Sequence, residues 1–396
     1  MAHIVIIGGG TGGLPMAYEM AELARPEDRI TLVSDRARFP VRSPSPWGGP
    51  QGAGCSGVEF PIAPNLERKG VGFTAAGAQR VQPQRNQLLL GDGSILDYDF
   101  LVIATGPKPA FDEIEGLGPD GYTQSLCHAD HLSGCSRAWQ QLVADPGPII
   151  VGAVQGASCF APAYESVFLM EADLNRRGLR EHAPVTFVTS EPYIGHLGVG
   201  GMAGSRTMLE SALHERNIDW IANARVTRVE PGTMHVCEHD ESGKAVRQHA
   251  LPFSYSMMMP PFRGIDAVAG IDGLANERGF ILVDEYQRNP SYPNIYAACA
   301  TLASPAGAAT PVPTGSHKTA YMIESMASAA AKNIREQIDG RAPSYNAVWN
   351  PVCLADLGGP GLAFIAQQEP EARKADWFAE GDWVHMSRCT ACDAGN

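Results

Sequence analysis

The stretch HIVIIGGGTGG, residues 3–13, decides the fold of this 396-residue chain. Five residues with strand character run into a turn in which Gly8, Gly10 and Gly13 fit G-x-G-x-x-G, with Thr11 between them, and helix-forming residues follow. In this context the glycines permit a tight turn, a close approach of the backbone to a pyrophosphate, and packing of helix on strand. The helix N-terminus offers unpaired N–H groups to an anion. The stretch therefore predicts a dinucleotide site.

Two later segments support this interpretation: DFLVIATG, residues 99–106, and NIYAA, residues 294–298. In this order the three segments resemble the two-dinucleotide-domain flavoproteins, which implies FAD bound by distant parts of the chain, with Thr105 and Gly106 close to it. The second strand, which begins at Ile30, should bring an acceptor to the adenosine ribose. Asp35 is the candidate, and Ser34 competes with it.

Composition sets further bounds. A chain of this length should hold at least two domains, and a net charge of -13 argues against nucleic acid as a partner. No run approaches eighteen apolar residues, and the first strand starts too early for a signal peptide, so the chain reads as soluble and unprocessed. The nine cysteines are odd in number and cannot all pair, which suggests that some have a chemical role.

The predicted fold class is α/β, with two Rossmann-type domains and a short C-terminal module. We expect an FAD domain in residues 1–110 and 275–340, a degenerate NAD-like domain in 111–274, and the module in 341–396. The NAD-like domain has a strand at 148–151, a helix that runs through Met170, and a partner strand at 185–189. The same patterns predict a helix over 320–338 with an apolar face that includes Tyr321, Met322 and Met326.

The second glycine turn, GAVQGASC, is where the chemistry changes. Its glycines are thinned to Gly152 and Gly156, and Cys159 stands where the helix begins. The positive end of a helix stabilises a thiolate, so Cys159 is predicted to be a nucleophile.

Four segments resemble the sulfide:quinone oxidoreductases very closely: GASCFAPAYE (156–165), SEPYIGHLG (190–198), TPVPTGSHKTAYMIESM (310–326) and VCLADLGG (352–359). The match is best to members with three redox cysteines, found here as Cys127, Cys159 and Cys353. The related flavocytochrome c sulfide dehydrogenases share the flavin fold. The resemblance implies an FAD-dependent enzyme that oxidises sulfide to polysulfide or sulfur and passes two electrons to quinone.

The resemblance also implies roles for residues. Cys159 and Cys353 form a disulfide or a bridge with extra sulfur, and hydrosulfide opens it to a persulfide and a thiolate. The thiolate nearer the flavin, assigned to Cys353, passes the electrons to FAD. Glu165 serves as general base, with a solvated helix glutamate as the alternative. Cys127 assists sulfur release or links covalently to the flavin.

His131 and His196 match family histidines that handle protons or gate a channel, although a structural role is equally open for each. Lys318 would suit the N1/O2 edge of a reduced flavin, and Gly315 and Arg42 are also assigned to the cofactor site. No metal site is predicted.

Three features depart from the family pattern. The loop FPVRSPSPWGG, residues 39–49, differs from the usual aromatic and asparagine-containing version and carries Arg42. Cys299 follows NIYAA where relatives carry glycine. Quinone-reducing relatives continue into amphipathic helices that enter the membrane interface, whereas this sequence stops after MSRCTACDAGN. We therefore expect a peripheral membrane protein by resemblance, with a soluble cytoplasmic location and a homo-oligomer left open. The alternatives are a soluble sulfide dehydrogenase that reduces a cytochrome, an NADH dehydrogenase or disulfide reductase, and a non-enzymatic flavin-binding protein.

Overall fold

The computed structural model describes residues 1–40, 59–200, 204–303, 309–316 and 318–349, and the backbone of three further strands between 352 and 381. Arg42 lies outside the described residues, so its predicted place in the cofactor site stays a prediction. The domain boundaries expected from the sequence also stay predictions.

Residues 1–110 alternate short strands with two helices. Their elements are β1 (His3–Ile7), α1 (Gly13–Leu23), β2 (Arg29–Val33), β3 (Arg38–Pro40), β4 (Glu59–Pro61), α2 (Ile62–Glu67), β5 (Gly72–Thr74), β6 (Ala78–Gln82), β7 (Gln87–Leu90), β8 (Ile95–Asp97), β9 (Phe100–Ile103) and β10 (Lys108–Pro109).

The middle of the chain adds three longer helices and eight strands. These are α3 (Leu132–Ala144), β11 (Ile149–Ala153), α4 (Ala161–Arg176), β12 (Val185–Thr189), α5 (Ser205–Glu215), β13 (Ile218–Ile221), β14 (Ala224–Glu230), β15 (Thr233–His239), β16 (Ala245–Pro252), β17 (Tyr255–Met259) and β18 (Phe262–Arg263). The last described elements are β19 (Ile295–Ala297), α6 (Ala320–Ile338), β20 (Val352–Asp356), β21 (Gly361–Ala366) and β22 (Asp376–Gly381).

The first parallel sheet has the strand order β19-β9-β1-β2-β5, so β19 closes it from a distant part of the chain. Strand β1 is apolar on both faces because both faces are covered, and Ile4 to Ile7 are at most 2% exposed. Helices α1 and α6 pack on each other against one face. The predicted strand, glycine turn and helix are confirmed in place, since β1 ends at Ile7 and α1 begins at Gly13.

A second sheet, in the order β13-β12-β11-β17, is also fully parallel. Strand β12 has the predicted bounds, while β11 starts one residue later than predicted and ends two residues later. Helix α4 follows β11 and packs on this sheet through Phe160, Tyr164 and Phe168, all at most 2% exposed. The sheet therefore aims the loop that carries Cys159 out of its carboxyl edge.

Helix α6 has the predicted bounds, but the predicted apolar face was wrong at Tyr321. Met322 and Met326 are buried, whereas Tyr321 is 50% exposed. At 3.6 residues per turn, position 321 lies about 140° from position 326 around the axis, which carries it to the solvent side. The helix uses Met326, Ala327 and Ala330 to cover the sheet and α1.

Candidate active site

In the glycine turn after β1, Gly13 is closely packed against the backbone, whereas the space beside Gly10 is empty. A Cβ on Gly13 would lie 1.7 Å from the carbonyl oxygen of Gly8, so no side chain fits there. A Cβ on Gly10 would meet nothing within 4 Å. Helix α1 has Gly12 as its N-cap, without a side chain bonded to the first turn. The turn thus presents open backbone and helix N–H groups, as a pyrophosphate requires.

Both candidates for the ribose acceptor lie at the carboxyl end of β2. Ser34 is 4% exposed, and its Oγ accepts a hydrogen bond from the Arg36 backbone N–H at 3.1 Å. The same Oγ lies 2.6 Å from the position of a Cβ on Gly9, so Ser34 faces the glycine turn. Asp35 is exposed. The arrangement is compatible with either residue, and both remain candidates.

The ends of β9 and β19 lie against the glycine turn. Together with the turn and the end of β2 they form a cradle for the cofactor. A Cβ on Gly8 would lie 2.5 Å from the carbonyl oxygen of Ala104, so the segment that contains Thr105 and Gly106 lies against the turn. Cys299 follows β19 with a φ of +82° and is 7% exposed. Its Sγ is 3.3 Å from the position of a Cβ on Gly12. A thiol side chain is therefore accommodated in a left-handed position that favours glycine.

Cys159 lies between β11 and α4, in a loop held by a segment from far along the chain. The Gly156 N–H donates to the Pro313 carbonyl at 2.8 Å, and the Gly315 N–H donates to the Ala157 carbonyl at 2.8 Å. A Cβ on Gly315 would come within 2.8 Å of a side chain of this loop. Gly315, assigned from the sequence to the cofactor site, thus also permits close packing against the Cys159 loop.

Lys318 connects the two thiols electrostatically. Burial lowers the pKa of its amine to about 8, and the charges of Cys299 and Cys159 partly oppose that shift. The Lys318 Nζ also donates to the Leu302 carbonyl at 3.2 Å. The Lys318 amine, with a pKa of about 8, therefore lies within electrostatic reach of both Cys299 in the cradle and Cys159.

Cys353 is carried by β20, where it is paired in register with Phe364 of β21. Strand β20 packs against α4 and α6. Since α4 begins two residues after Cys159, the fold brings the strand that carries Cys353 to the helix that follows Cys159.

Cys127 precedes a polar turn that contacts the segment after β2. Its Sγ lies 3.7 Å from the Met259 Sδ of β17. One residue later, His128 contacts the Arg36 guanidinium, and the His128 Nδ1 lies 3.0 Å from Asp130. The sequence did not single out Arg36. Its position two residues after Ser34, beyond the end of β2, was the only signal available.

The predicted histidines lie on two different segments. The His131 ring lies 5.8 Å from the Phe111 ring and 5.5 Å from the His128 ring. His196 is partly exposed in the loop after β12, and its ring meets Tyr193 edge-on at 5.4 Å.

The His196 loop meets the Cys159 loop at Gly198. A Cβ on Gly198 would lie 2.9 Å from the Gly315 carbonyl oxygen and 3.0 Å from the Phe160 ring. Glu165 lies on α4 and is 8% exposed, so the alternative of a solvated helix glutamate is wrong. Three segments therefore converge beside the cradle: the Cys159 loop, the His196 loop and residues 310–318.

Two further residues at this site, Glu191 and Tyr164, were missed from the sequence. Glu191 is fully buried, and the Tyr164 hydroxyl donates to its Oε2 at 2.9 Å. The signal that was available is positional, because an acid at the end of the second strand of a dinucleotide unit usually has a role in binding.

Comparisons with known proteins define the class. A family model described as pyridine nucleotide-disulphide oxidoreductase matches residues 2–315, and the chain belongs to this class. The solved structure of NDH2 from Plasmodium falciparum in complex with NADH covers 96% of this chain and 91% of its own, with a TM-score of 0.69. At 14% identity that likeness shows the fold alone.

Much closer relatives identify the family within the class. The sulfide-quinone reductase of Aquifex aeolicus (strain VF5) is 37% identical over 385 residues, which are 97% of this chain and 87% of the relative. The crystal structure of the Aquifex aeolicus sulfide:quinone oxidoreductase has a TM-score of 0.90 at 36% identity, over 98% of this chain and 89% of that one. The chain belongs to the sulfide-quinone reductase family.

The site fits the cofactor of this family, and the protein is an FAD-dependent oxidoreductase. The open space at Gly10 and the uncapped N-terminus of α1 are the features that a bound pyrophosphate uses. Among the residues that the structure describes, no helix combines the length and the apolar character needed to cross a bilayer.

Proposed function

We propose that this protein oxidises sulfide through Cys159 and Cys353 and passes the electrons through FAD to a quinone. The observation that carries the proposal is Cys159 itself: it lies at the start of α4, within electrostatic reach of the Lys318 amine, beside the glycine cradle. A helix N-terminus and a neighbouring cation both favour a thiolate.

The chemistry balances if Cys159 and Cys353 are joined at rest. Hydrosulfide attacks the Cys159 sulfur, the S–S bond breaks, and the products are a Cys159 persulfide and a Cys353 thiolate. Re-formation of the bridge with the added sulfur releases two electrons and one proton. FAD held at the glycine turn after β1 would supply the two-electron acceptor for this oxidation, and quinone would take the pair from it. Each turnover lengthens the bridge by one sulfur until polysulfide leaves.

The remaining residues manage charge and protons. Glu165 accepts a proton from hydrogen sulfide, which yields the attacking hydrosulfide, and its burial on α4 suits a general base. His196, from the facing loop, takes the proton released when the bridge re-forms. The Lys318 ammonium offsets negative charge at Cys159. Cys127 receives sulfur for release, or holds the flavin covalently, and His131 lies on the same turn.

The proposed acceptor supports a location at a membrane. Because long-tailed quinones reside in the bilayer, we propose peripheral contact with the lipid surface. The net charge of -13 supports the separate proposal that nucleic acid is not a partner. Flotation with liposomes tests this contact, and analytical ultracentrifugation tests for a homo-oligomer. Protein that stays at the bottom of the gradient with quinone-containing liposomes would favour a soluble sulfide dehydrogenase instead.

An anaerobic rapid-mixing experiment tests the reaction. Sulfide should bleach the flavin of the wild-type protein, and a short-chain quinone should then restore its colour. Cys159→Ala and Cys353→Ala should retain FAD but bleach at least about a hundredfold more slowly, because the sulfur acceptor is lost.

Cys135→Ala is the matched control for the thiol variants. Cys135 is fully buried in α3, its Sγ lies 3.2 Å from the Ser125 carbonyl oxygen, and burial raises its pKa to about 11. It should therefore be inert, and its removal should leave bleaching unchanged. Bleaching of Cys353→Ala at the wild-type rate would overturn the assigned relay. Recovery of the flavin colour with cytochrome c but not with quinone would refute the assignment of quinone as the electron acceptor.

A further inference from the structure

A buried carboxylate lies beneath the loop that carries His196. Glu191 follows β12 and is fully buried. Its Oε2 accepts hydrogen bonds from the Tyr164 hydroxyl at 2.9 Å and the Thr189 hydroxyl at 2.8 Å, and its Oε1 accepts one from the Leu197 N–H at 2.6 Å. Burying a carboxylate is costly unless donors surround it, and these three donors meet that need.

Tyr164 extends this contact to the other side of His196. Its hydroxyl donates to Glu191 and accepts from the Gly195 N–H at 3.0 Å. The backbone N–H groups immediately before and after His196 are therefore both bonded to the Glu191–Tyr164 pair. One carboxylate and one phenol thus control the path of the chain through the histidine.

The loop needs this support because its path is unusual. Gly195 has a φ of +84° and Leu197 a φ of +57°. Leucine rarely adopts the left-handed region, so the surrounding structure must impose it. The Ser205 hydroxyl adds a hydrogen bond to the Gly195 carbonyl at 2.8 Å. The orientation of His196 therefore depends on bonds from outside its own loop.

Glu191 is buried at a place in the fold where an acid usually faces a bound nucleotide. An acid after the second strand of a dinucleotide unit ordinarily accepts hydrogen bonds from a ribose. Here β12 is the strand next to β11, yet the carboxylate of Glu191 points inward and is fully buried. Glu191 therefore uses its carboxylate for internal hydrogen bonds.

We propose that Glu191 and Tyr164 form a buried brace that holds His196 at the mouth of the Cys159 loop, which makes Glu191 a positioning residue for proton transfer by His196. The inference rests on the proposed function, in which His196 handles protons. Glu191 itself contacts neither sulfide nor cofactor in this arrangement. It is also withdrawn from any role in holding a nicotinamide ribose.

Several charged groups face the brace and belong in any account of its pH dependence. Glu210 of α5 acts electrostatically on Tyr164, and the Glu210 carboxylate is paired with the Arg206 guanidinium at 2.9 Å. Burial raises the pKa of Glu191 to about 7 and that of Tyr164 well above its usual value. Because Glu191 and an imidazole both titrate near neutrality, a displaced brace should change the titration of His196.

The test uses Tyr164→Phe and Glu191→Gln in the FAD-loaded protein. Each removes one element of the brace and keeps the side-chain volume. The titration of His196 is followed by NMR, with its resonance assigned by its loss in His196→Gln. Both variants should shift that titration, slow sulfide bleaching about tenfold and change its pH profile, while the apparent affinity for sulfide stays the same.

Tyr98→Phe is the matched control. Tyr98 lies between β8 and β9 and is buried at 4% exposed, and its hydroxyl has no hydrogen-bond partner among the described residues. Its variant should leave the His196 titration and the bleaching profile unchanged. A wild-type His196 titration in both brace variants would overturn the brace.

A separate measurement distinguishes failure of the brace from failure of the proposed function. Amide hydrogen exchange should accelerate at Gly195 in Tyr164→Phe, where its acceptor is lost, and at Leu197 in Glu191→Gln, where its acceptor loses its charge. Unchanged exchange would overturn the brace whatever the activity. A wild-type pH profile in His196→Gln would instead refute the proton role of His196, and with it the assignment of Glu191 as a positioning residue.

Discussion

Replacing Gly10 and Gly13 singly by alanine separates two reasons for a glycine in the same turn. A Cβ on Gly13 would lie 1.7 Å from the Gly8 carbonyl oxygen, and the gap must widen by at least about 1.3 Å to reach the 3.0 Å below which real Cβ contacts essentially never occur. Overpacking of that kind costs typically about 1–3 kcal/mol, and the closeness of the contact places Gly13→Ala near about 3 kcal/mol.

Gly10→Ala should behave in the opposite way. Since a Cβ there meets nothing within 4 Å, the free energy of unfolding of the apoprotein should change by no more than about 0.5 kcal/mol. The added methyl group would nevertheless occupy the space through which the pyrophosphate approaches the backbone. We expect FAD affinity to fall at least about tenfold.

Urea unfolding of the apoproteins, followed by far-UV circular dichroism, gives the first quantity. Titration of FAD by quenching of flavin fluorescence gives the second. Wild-type FAD affinity in Gly10→Ala would show that the pyrophosphate does not pass over Gly10. Wild-type stability in Gly13→Ala would show that the contact with Gly8 is not as close as described.

Three further predictions concern charge, packing and cofactor choice. Burial lowers the pKa of Lys318 from its ordinary value of 10.5 to about 8 in the folded protein, so the unfolded chain binds more protons between these pH values. The unfolding free energy of the apoprotein, relative to Lys318→Met, should therefore rise by up to about 3 kcal/mol from pH 8 to 10.5, and a flat difference would refute the burial of the amine. Met326→Ala should lower the free energy of unfolding in urea by about 2–5 kcal/mol, because Met326 is buried. Tyr321→Ala should change it by no more than about 0.5 kcal/mol, and equal losses in the two variants would contradict the orientation of α6. NADH should not reduce the flavin in stopped-flow mixing, because Cys159 and the thinned glycines replace a full second motif; reduction at a rate comparable with that by sulfide would refute this.

Much of the fold could be predicted because local signals and global structure agree. Strand β1 and its turn combine an apolar strand with the glycine spacing G-x-G-x-x-G, a combination that is typical of dinucleotide-binding units. Strand β12 and helix α6 were predicted with their observed bounds. The error at Tyr321 arose because an aromatic residue was counted as apolar, although the angular position of the side chain decides its burial.

The position of one candidate site residue could be predicted because a cysteine that follows a glycine turn is a distinctive local pattern, whereas its role stays a prediction. Cys159 at a helix start is such a residue. The brace was not predicted, because Glu191 and Tyr164 lie far apart in sequence and their contact depends on how α4 crosses the sheet. Arg36 was missed for the same reason, since its partner His128 comes from another part of the chain. Long-range pairing of ordinary polar residues leaves no local pattern.

The two hydrogen bonds between residues 156–157 and 313–315 have a consequence for the order in which the molecule assembles. They join the Cys159 loop to a stretch of chain that leaves the ribosome much later. A contact of such long range forms only after the intervening chain has paid its loop-closure entropy. A growing chain can thus complete the strand-turn-helix around Cys159 well before that thiol acquires its neighbours. During synthesis the Cys159 loop therefore gains these two hydrogen bonds only after residues 313–315 have emerged.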